Sequence, residues 1–255
     1  MMTLDIIPIP AFRDNYIWLL QRDRHAVVVD PGDAAPVLAA LQARQLALDA
    51  ILITHHHDDH IGGVAELLTH TRAAVYAPRR EHYPFPHQPV SEDDWVDLPT
   101  LDIRLQVLET PGHTAGHVVY YGANSLFCGD TLFGCGCGRL FEGSCQQLYQ
   151  SLQRLAALPA ETRVYCAHEY TQHNIRFARL LDPDNPALIE RAQNVDRLRL
   201  ENRPSLPSTI DTERATNPFL RCDSSSIRTA AQQHDIDASD TVAVFCAIRN
   251  MRNAF

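Results

Sequence analysis

Lysine is missing from this sequence altogether: all 22 of its basic residues are arginine. A Schiff-base or lysine-nucleophile mechanism is thereby excluded, and any anion must be held by guanidinium or backbone N–H groups. Glycine runs out too. All 11 glycines lie between Gly32 and Gly143, although the chain continues to Phe255. Glycine supplies sharp turns and close backbone approach, so the first part is expected to carry strands joined by tight loops and the remainder to be mostly helical. No apolar run approaches the roughly 18 residues of a membrane span. The amino end has prolines in its apolar stretch and no basic start, so it does not read as a secretory signal. C-x-x-C is absent, and the seven cysteines (128, 135, 137, 145, 166, 222 and 246) are odd in number. That argues against a disulfide framework and for a reducing compartment, the cytoplasm. A net charge of −9 makes nucleic acid an unexpected partner.

What is present reads as an α/β layered domain. "IWLL", "HAVVVD", "DAILIT", "AAVYAP", "IRLQVLET", "HVVYYG", "SLFCGD" and "RVYCAH" are short apolar or β-branched runs with strand character. Between them, "AAPVLAALQARQ" and "IGGVAELLTHT" space Val37, Leu38, Leu41 and Ile61, Val64, Leu67, Leu68 as helices do. "RREHYPFPHQPVSEDD" reads as a polar, proline-rich loop. Further on, Asn185 and Pro186 mark a helix start, with Leu188, Ile189, Ala192 and Val195 on one face. "SDTVAVFCAIRNMRNAF" is predicted as a closing helix capped by Ser239.

The chemistry concentrates in "ILITHHHDDH", Ile51 to His60. In an extended segment, side chains two apart point the same way, so His55 and His57 converge while His56 points opposite. Asp59 and His60 stand at the turn into a helix and can aim back at the same space. Four titratable groups packed together repel or desolvate one another unless a cation holds them. The pattern therefore predicts metal ligation by His55, His57, Asp59 and His60, whose imidazole and carboxylate donors suit zinc-type metals. Isolated histidines (25, 70, 82, 87 and 234) read as ordinary surface or core residues. Three later segments offer the same donor types: "ETPGHTAGH" His113, "LFCGDTLF" Asp130 and "VYCAHEY" His168. Asp30 in "VVVDPGD" is either an orienter of a ligand imidazole or a turn residue. His56, Asp58, His117 and His173 read as solvated or packing residues. "GCGCG" tempts a thiol mechanism, but no histidine base is assigned to a thiolate.

At this point "THHHDDHIGG", "TPGHTAGH", "FCGDTLF", "GCGRLFEG" and "CAHEYT", with "NPFLR" and a terminal Arg-x-x-Arg, resemble the glyoxalase II (hydroxyacylglutathione hydrolase) family of metallo-β-lactamase-fold hydrolases. The resemblance implies a four-layer αββα sandwich over residues 1–170 and a smaller all-helical, substrate-binding domain over 171–255. It implies one metal on His55, His57 and His113, and a second on Asp59, His60 and His168. Asp130 and a hydroxide would bridge the two, with Asp59 orienting the hydroxide; zinc is the first choice, iron or manganese the others. It implies that Arg139, Phe141, Tyr170, Arg249 and Arg252 hold glutathione, Arg249 and Arg252 sharing a helix face. Phe141 departs from a common tyrosine and Arg252 from a lysine. The implied reaction is hydrolysis of S-2-hydroxyacylglutathione, chiefly the D-lactoyl ester, the second step of methylglyoxal detoxification, by a cytoplasmic monomer. One rival is a one-iron persulfide dioxygenase, whose relatives share the first histidines but lack much of the terminal helical region. Another is a non-catalytic metal-stabilised module, which would want closed Cys/His sites.

Overall fold

The computed structural model describes residues 4–233 and 237–255; His234 lies outside the described residues. It divides into two compact units, one of Met1–Glu109 with Gly116–Gly129, the other of Thr110–Ala115 with Asp130–Phe255.

The first unit holds strands β1 (Asp5–Ala11), β2 (Asn15–Arg22), β3 (His25–Val29), β4 (Ala47–Leu52), β5 (Ala74–Pro78) and β6 (Gln88–Val90) in one sheet, in that order. β1, β2 and β3 pair antiparallel, and β3 to β6 run parallel. β1 was not foreseen because Pro8 and Pro10 interrupt it. At the sheet edge a missing N–H is tolerated. Helices α1 (Ala34–Arg44), α2 (Asp58–Ile61) and α3 (Val64–His70) complete the parallel crossovers. Period-two alternation puts Ile17, Leu19 and Val28 in one core with Val37, Leu41, Val64 and Leu67 of the helices. Trp18, Leu20, Val27 and Val29 point the other way and are equally buried, so a second layer must cover that face. It comes from β7 (Trp95–Leu98), β8 (Ile103–Glu109), β9 (Val118–Gly122) and β10 (Ser125–Gly129), paired antiparallel in sequence order. Tyr120 of β9 donates its hydroxyl to the Ile53 carbonyl at 2.9 Å.

Two expectations need correcting here. The helix expected across "IGGVAELL" breaks at Gly62–Gly63, because a Cβ on Gly63 would lie 2.5 Å from the Ala34 nitrogen. Only glycine lets the two helix starts approach. The segment read as a polar loop contains β6 and a buried Phe85, since backbone pairing to β5 needs no apolar run.

The second unit contains the small hairpin β11 (Leu132–Phe133) and β12 (Gly136–Cys137), the pair β13 (Arg163–Cys166) and β14 (Ser208–Thr209), and helices α4 (Cys145–Ala156), α5 (Thr171–Leu181), α6 (Pro186–Leu200), α7 (Ile210–Thr216), α8 (Ser225–Gln232) and α9 (Thr241–Ala254). Asn185 caps α6 as expected, accepting from the Ala187 and Leu188 N–H groups. The cap of α9 is Asp240 and not Ser239: Asp240 accepts from Val242 and Ala243, while the Ser239 hydroxyl is engaged by Asp237. Buried Glu213 of α7 pairs with Arg191 of α6 and accepts the Cys135 N–H at 2.8 Å. That contact anchors the loop leading to Arg139. Among the described residues no helix is long and apolar enough to cross a membrane.

Candidate metal centre and substrate cavity

Adjacent parallel strands β3 and β4 end in register, Val29 opposite Leu52, so Asp30 and the Thr54–His60 turn emerge side by side. Asp30 takes a left-handed φ of 52°, which aspartate tolerates better than most residues. Its buried carboxylate accepts the Thr54 N–H at 2.8 Å, the Thr54 hydroxyl at 2.7 Å and His60 Nδ1 at 3.1 Å. Both readings of Asp30 therefore hold: it makes the turn and it orients an imidazole.

These bonds fix tautomers. The Thr54 hydroxyl spends its only proton on Asp30, so at 3.0 Å it accepts from His55 Nδ1. His55 Nε2 is left as a lone pair, and it faces His57 Nδ1 at 2.9 Å. His60 donates from Nδ1 in the same way, keeping Nε2 as an acceptor that sits 3.6 Å from Asp59 Oδ2. Donating one ring nitrogen to a carboxylate or hydroxyl and presenting the other is how metal-binding imidazoles are held. Asp30, His55 and His60 bring ligand atoms within 4.8 Å of one another. His56 turns away to Glu81 at 3.3 Å, and His117 is buried against the His55 ring. Asp58 is exposed.

In the second unit Asp130 stands between two imidazoles. His113 Nε2 lies 3.4 Å from one carboxylate oxygen and His168 Nε2 3.4 Å from the other. His113 Nδ1 donates to the Arg139 carbonyl at 2.8 Å, again leaving Nε2 with its lone pair. Tyr170 stacks on His168 with centroids 4.7 Å apart, and Phe141 meets His113 edge-on at 5.2 Å. Beside them opens a cavity of about 440 Å³ whose lining includes Arg139, Phe141, Tyr170, Arg249 and Arg252. A larger groove of about 660 Å³ along α6 and α7 contains none of the expected site residues.

The terminal arginines divide their work. Arg252 is half-buried, and its Nε and one terminal nitrogen donate to Asn174 Oδ1 at 3.2 and 3.1 Å. Burial and the neighbouring Arg249 and Arg139 charges press its pKa down. Arg249 lines the same cavity and is 5% exposed. One of its terminal nitrogens donates to the Cys137 carbonyl at 2.7 Å and to Gly138 at 3.3 Å. Arg249 thus braces the loop before Arg139. Burial pushes the Cys137 thiol up despite the lowering effect of Arg249, which suits a packed thiol and not a nucleophile.

A family model described as the metallo-beta-lactamase superfamily matches residues 11–168, and one described as hydroxyacylglutathione hydrolase C-terminus matches residues 169–255. A hydroxyacylglutathione hydrolase of Methylobacillus flagellatus is 57% identical over 251 residues, 98% of this chain and 99% of that one. This chain belongs to the hydroxyacylglutathione hydrolase family. Solved structures agree on the α/β metallo-β-lactamase fold. The BLEG-1 B3 metallo-beta-lactamase has a TM-score of 0.62 at 26% identity, covering 86% of this chain and 99% of its own. ETHE1 from Myxococcus xanthus has a TM-score of 0.60 at 30% identity, covering 84% and 99%. In this hydroxyacylglutathione hydrolase family member, reading the sequence missed Thr54 and Asn174. Each is a neutral residue in an unremarkable local context, and only the contacts it makes mark it.

Proposed function

We infer that the chain is a binuclear metal thioesterase that hydrolyses S-2-hydroxyacylglutathione, chiefly S-D-lactoylglutathione, to glutathione and D-lactate. The observation that carries this reading is Asp130, whose two oxygens each face a different imidazole nitrogen. A carboxylate so placed suits two cations roughly 3.5 to 4 Å apart, the usual spacing in two-metal hydrolases. We assign one divalent ion to His55, His57 and His113, a second to Asp59, His60 and His168, and Asp130 to both. Zinc, iron and manganese all accept this donor set. Such ions, when bound, acidify water and polarise a carbonyl oxygen.

The chain's own residues do the rest. Asp59 orients the attacking oxygen, and its partly exposed carboxylate leaves room for water. The leaving thiolate needs no strong general acid, because a thiol's pKa is about 8.5. Arg139 and Arg252 supply the positive field for the glutathione carboxylates on a chain whose overall charge is −9. Tyr170 adds a hydroxyl donor. Phe141, 61% exposed, can offer only apolar surface, so it contributes packing without a hydrogen bond. Metal binding is assigned to residues before 170, and the helical domain over 171–255 adds Arg249 and Arg252 to the glutathione contacts of Arg139, Phe141 and Tyr170. Seven free thiols suit the cytoplasm, and the enzyme is assigned as a monomer.

Elemental analysis together with parallel assays on lactoylglutathione, a β-lactam and a phosphodiester tests this. The expected result is two metals per chain and a kcat/KM far higher on the thioester. One metal per fully active chain, or comparable kcat/KM on all three, overturns it.

A further inference from the structure

We propose that Asn15 is a positioning residue: its side-chain amide sets the orientation of the Asp59 carboxylate and so governs occupancy of the metal position to which Asp59 belongs. The inference rests on the two-metal reading above. Asn15 opens β2 directly after the hairpin turn, paired with Ala11 and 7% exposed. From there its Nδ2 reaches Asp59, donating to Oδ2 at 3.0 Å and approaching the Asp59 carbonyl at 3.4 Å. An asparagine beside a turn ordinarily bonds its own backbone. This one spends its amide on a residue 44 positions away.

Asp59 needs that support. It sits in the four-residue helix α2, and its side chain is 43% exposed. Neither its helix nor burial selects one rotamer. The main chain is held separately: a Cβ on Gly32 would lie 1.9 Å from the Asp59 carbonyl oxygen, so that loop closes directly on the Asp59 backbone. The carboxylate is where Asn15 acts, through its bond to Oδ2. His60 Nε2 faces the same Oδ2 at 3.6 Å, so the amide aligns the aspartate with the imidazole assigned to the same ion.

The choice of an amide has an electrostatic reason. An arginine or lysine could also hold Oδ2, but its charge would offset the carboxylate and repel the cation the carboxylate must attract. A neutral N–H orients without neutralising. Removing such an outer-shell partner typically weakens metal affinity by about 10- to 100-fold.

The test compares zinc-loaded wild type, Asn15→Ala and the isosteric Asn15→Asp, each dialysed against graded dipicolinate, with zinc per chain measured by elemental analysis. Melting temperatures of the metal-free proteins are taken in parallel. Both variants should release one of two zinc ions at about 10- to 100-fold lower chelator than wild type. The other ion should be retained as in wild type, and the metal-free melting temperatures should match. A wild type holding fewer than two zinc ions would refute the two-metal reading itself. With wild type holding two, release midpoints within twofold of wild type would overturn the role of Asn15. So would loss of both ions together with a lowered metal-free melting temperature, which would mark a merely structural residue.

Discussion

Replacing Asp30 by asparagine changes one atom of the site and should change the protonation pattern of two imidazoles. Asp30 accepts from three donors, the Thr54 N–H on Oδ1 and both the Thr54 hydroxyl and His60 Nδ1 on Oδ2. An asparagine that keeps its oxygen toward the Thr54 N–H must point its NH₂ at the other two. His60 Nδ1 then has to accept, which moves the ring proton to Nε2, the atom needed for metal. The Thr54 hydroxyl must turn its proton toward His55 Nδ1, 3.0 Å away, which sends the His55 proton to Nε2 as well. The flipped amide avoids this only by setting NH₂ against the buried Thr54 N–H, and an unsatisfied buried donor costs about 1 to 3 kcal/mol of stability. A hydrogen bond to a charged group is worth roughly 1.5 to 3 kcal/mol, and each 1.4 kcal/mol is about tenfold. Asp30→Asn should therefore lower zinc affinity by about 10- to 100-fold in buffered-zinc titrations, or else lower the metal-free melting temperature. Zinc affinity within twofold of wild type and an unchanged melting temperature would together refute the tautomer argument.

Arg252→Ala should raise KM for lactoylglutathione by about 10- to 100-fold with kcat nearly intact, since a remote carboxylate contact serves ground and transition states alike. Arg249→Ala should in addition lower the melting temperature, because it strands the Cys137 and Gly138 carbonyls at about 1 to 3 kcal/mol per unsatisfied group; equal melting temperatures for the two variants would contradict the bracing role. Acid stability should depend on Asp182: burial alone would raise its pKa, but hydrogen bonds from Ser226 and Asn185 and the Arg221 guanidinium hold it below the ordinary value. A depressed carboxylate stabilises the fold above its unfolded pKa of about 3.9 and loses that contribution as pH falls through the folded value. Asp182→Asn should thus flatten the loss of denaturant stability below about pH 4, and an unaltered pH profile would count against it.

By itself the sequence determined the candidate donor residues and the layered architecture. "THHHDDH" follows an apolar strand, and two-residue spacing already forces His55 and His57 to converge. The eight apolar runs named as strands fall on β2, β3, β4, β5, β8, β9, β10 and β13, because burial writes hydrophobicity into a strand whatever its neighbours. β1 and β6 were hidden, since their proline-containing segments gain order from backbone pairing to a neighbour, and that leaves no hydrophobic period. The tertiary structure alone decided which groups hold the candidate donor side chains. Asp30 and His60 are 30 positions apart and Asn15 and Asp59 are 44; nothing local distinguishes a turn aspartate from one that fixes an imidazole. It also separated two arginines that the sequence presents as equivalent. Arg249 and Arg252 lie three apart on one helix and both line the cavity, but the first is buried against the Cys137 loop while the second is only half-buried. Burial is a property of what packs above a helix, and the helix's own sequence does not record it.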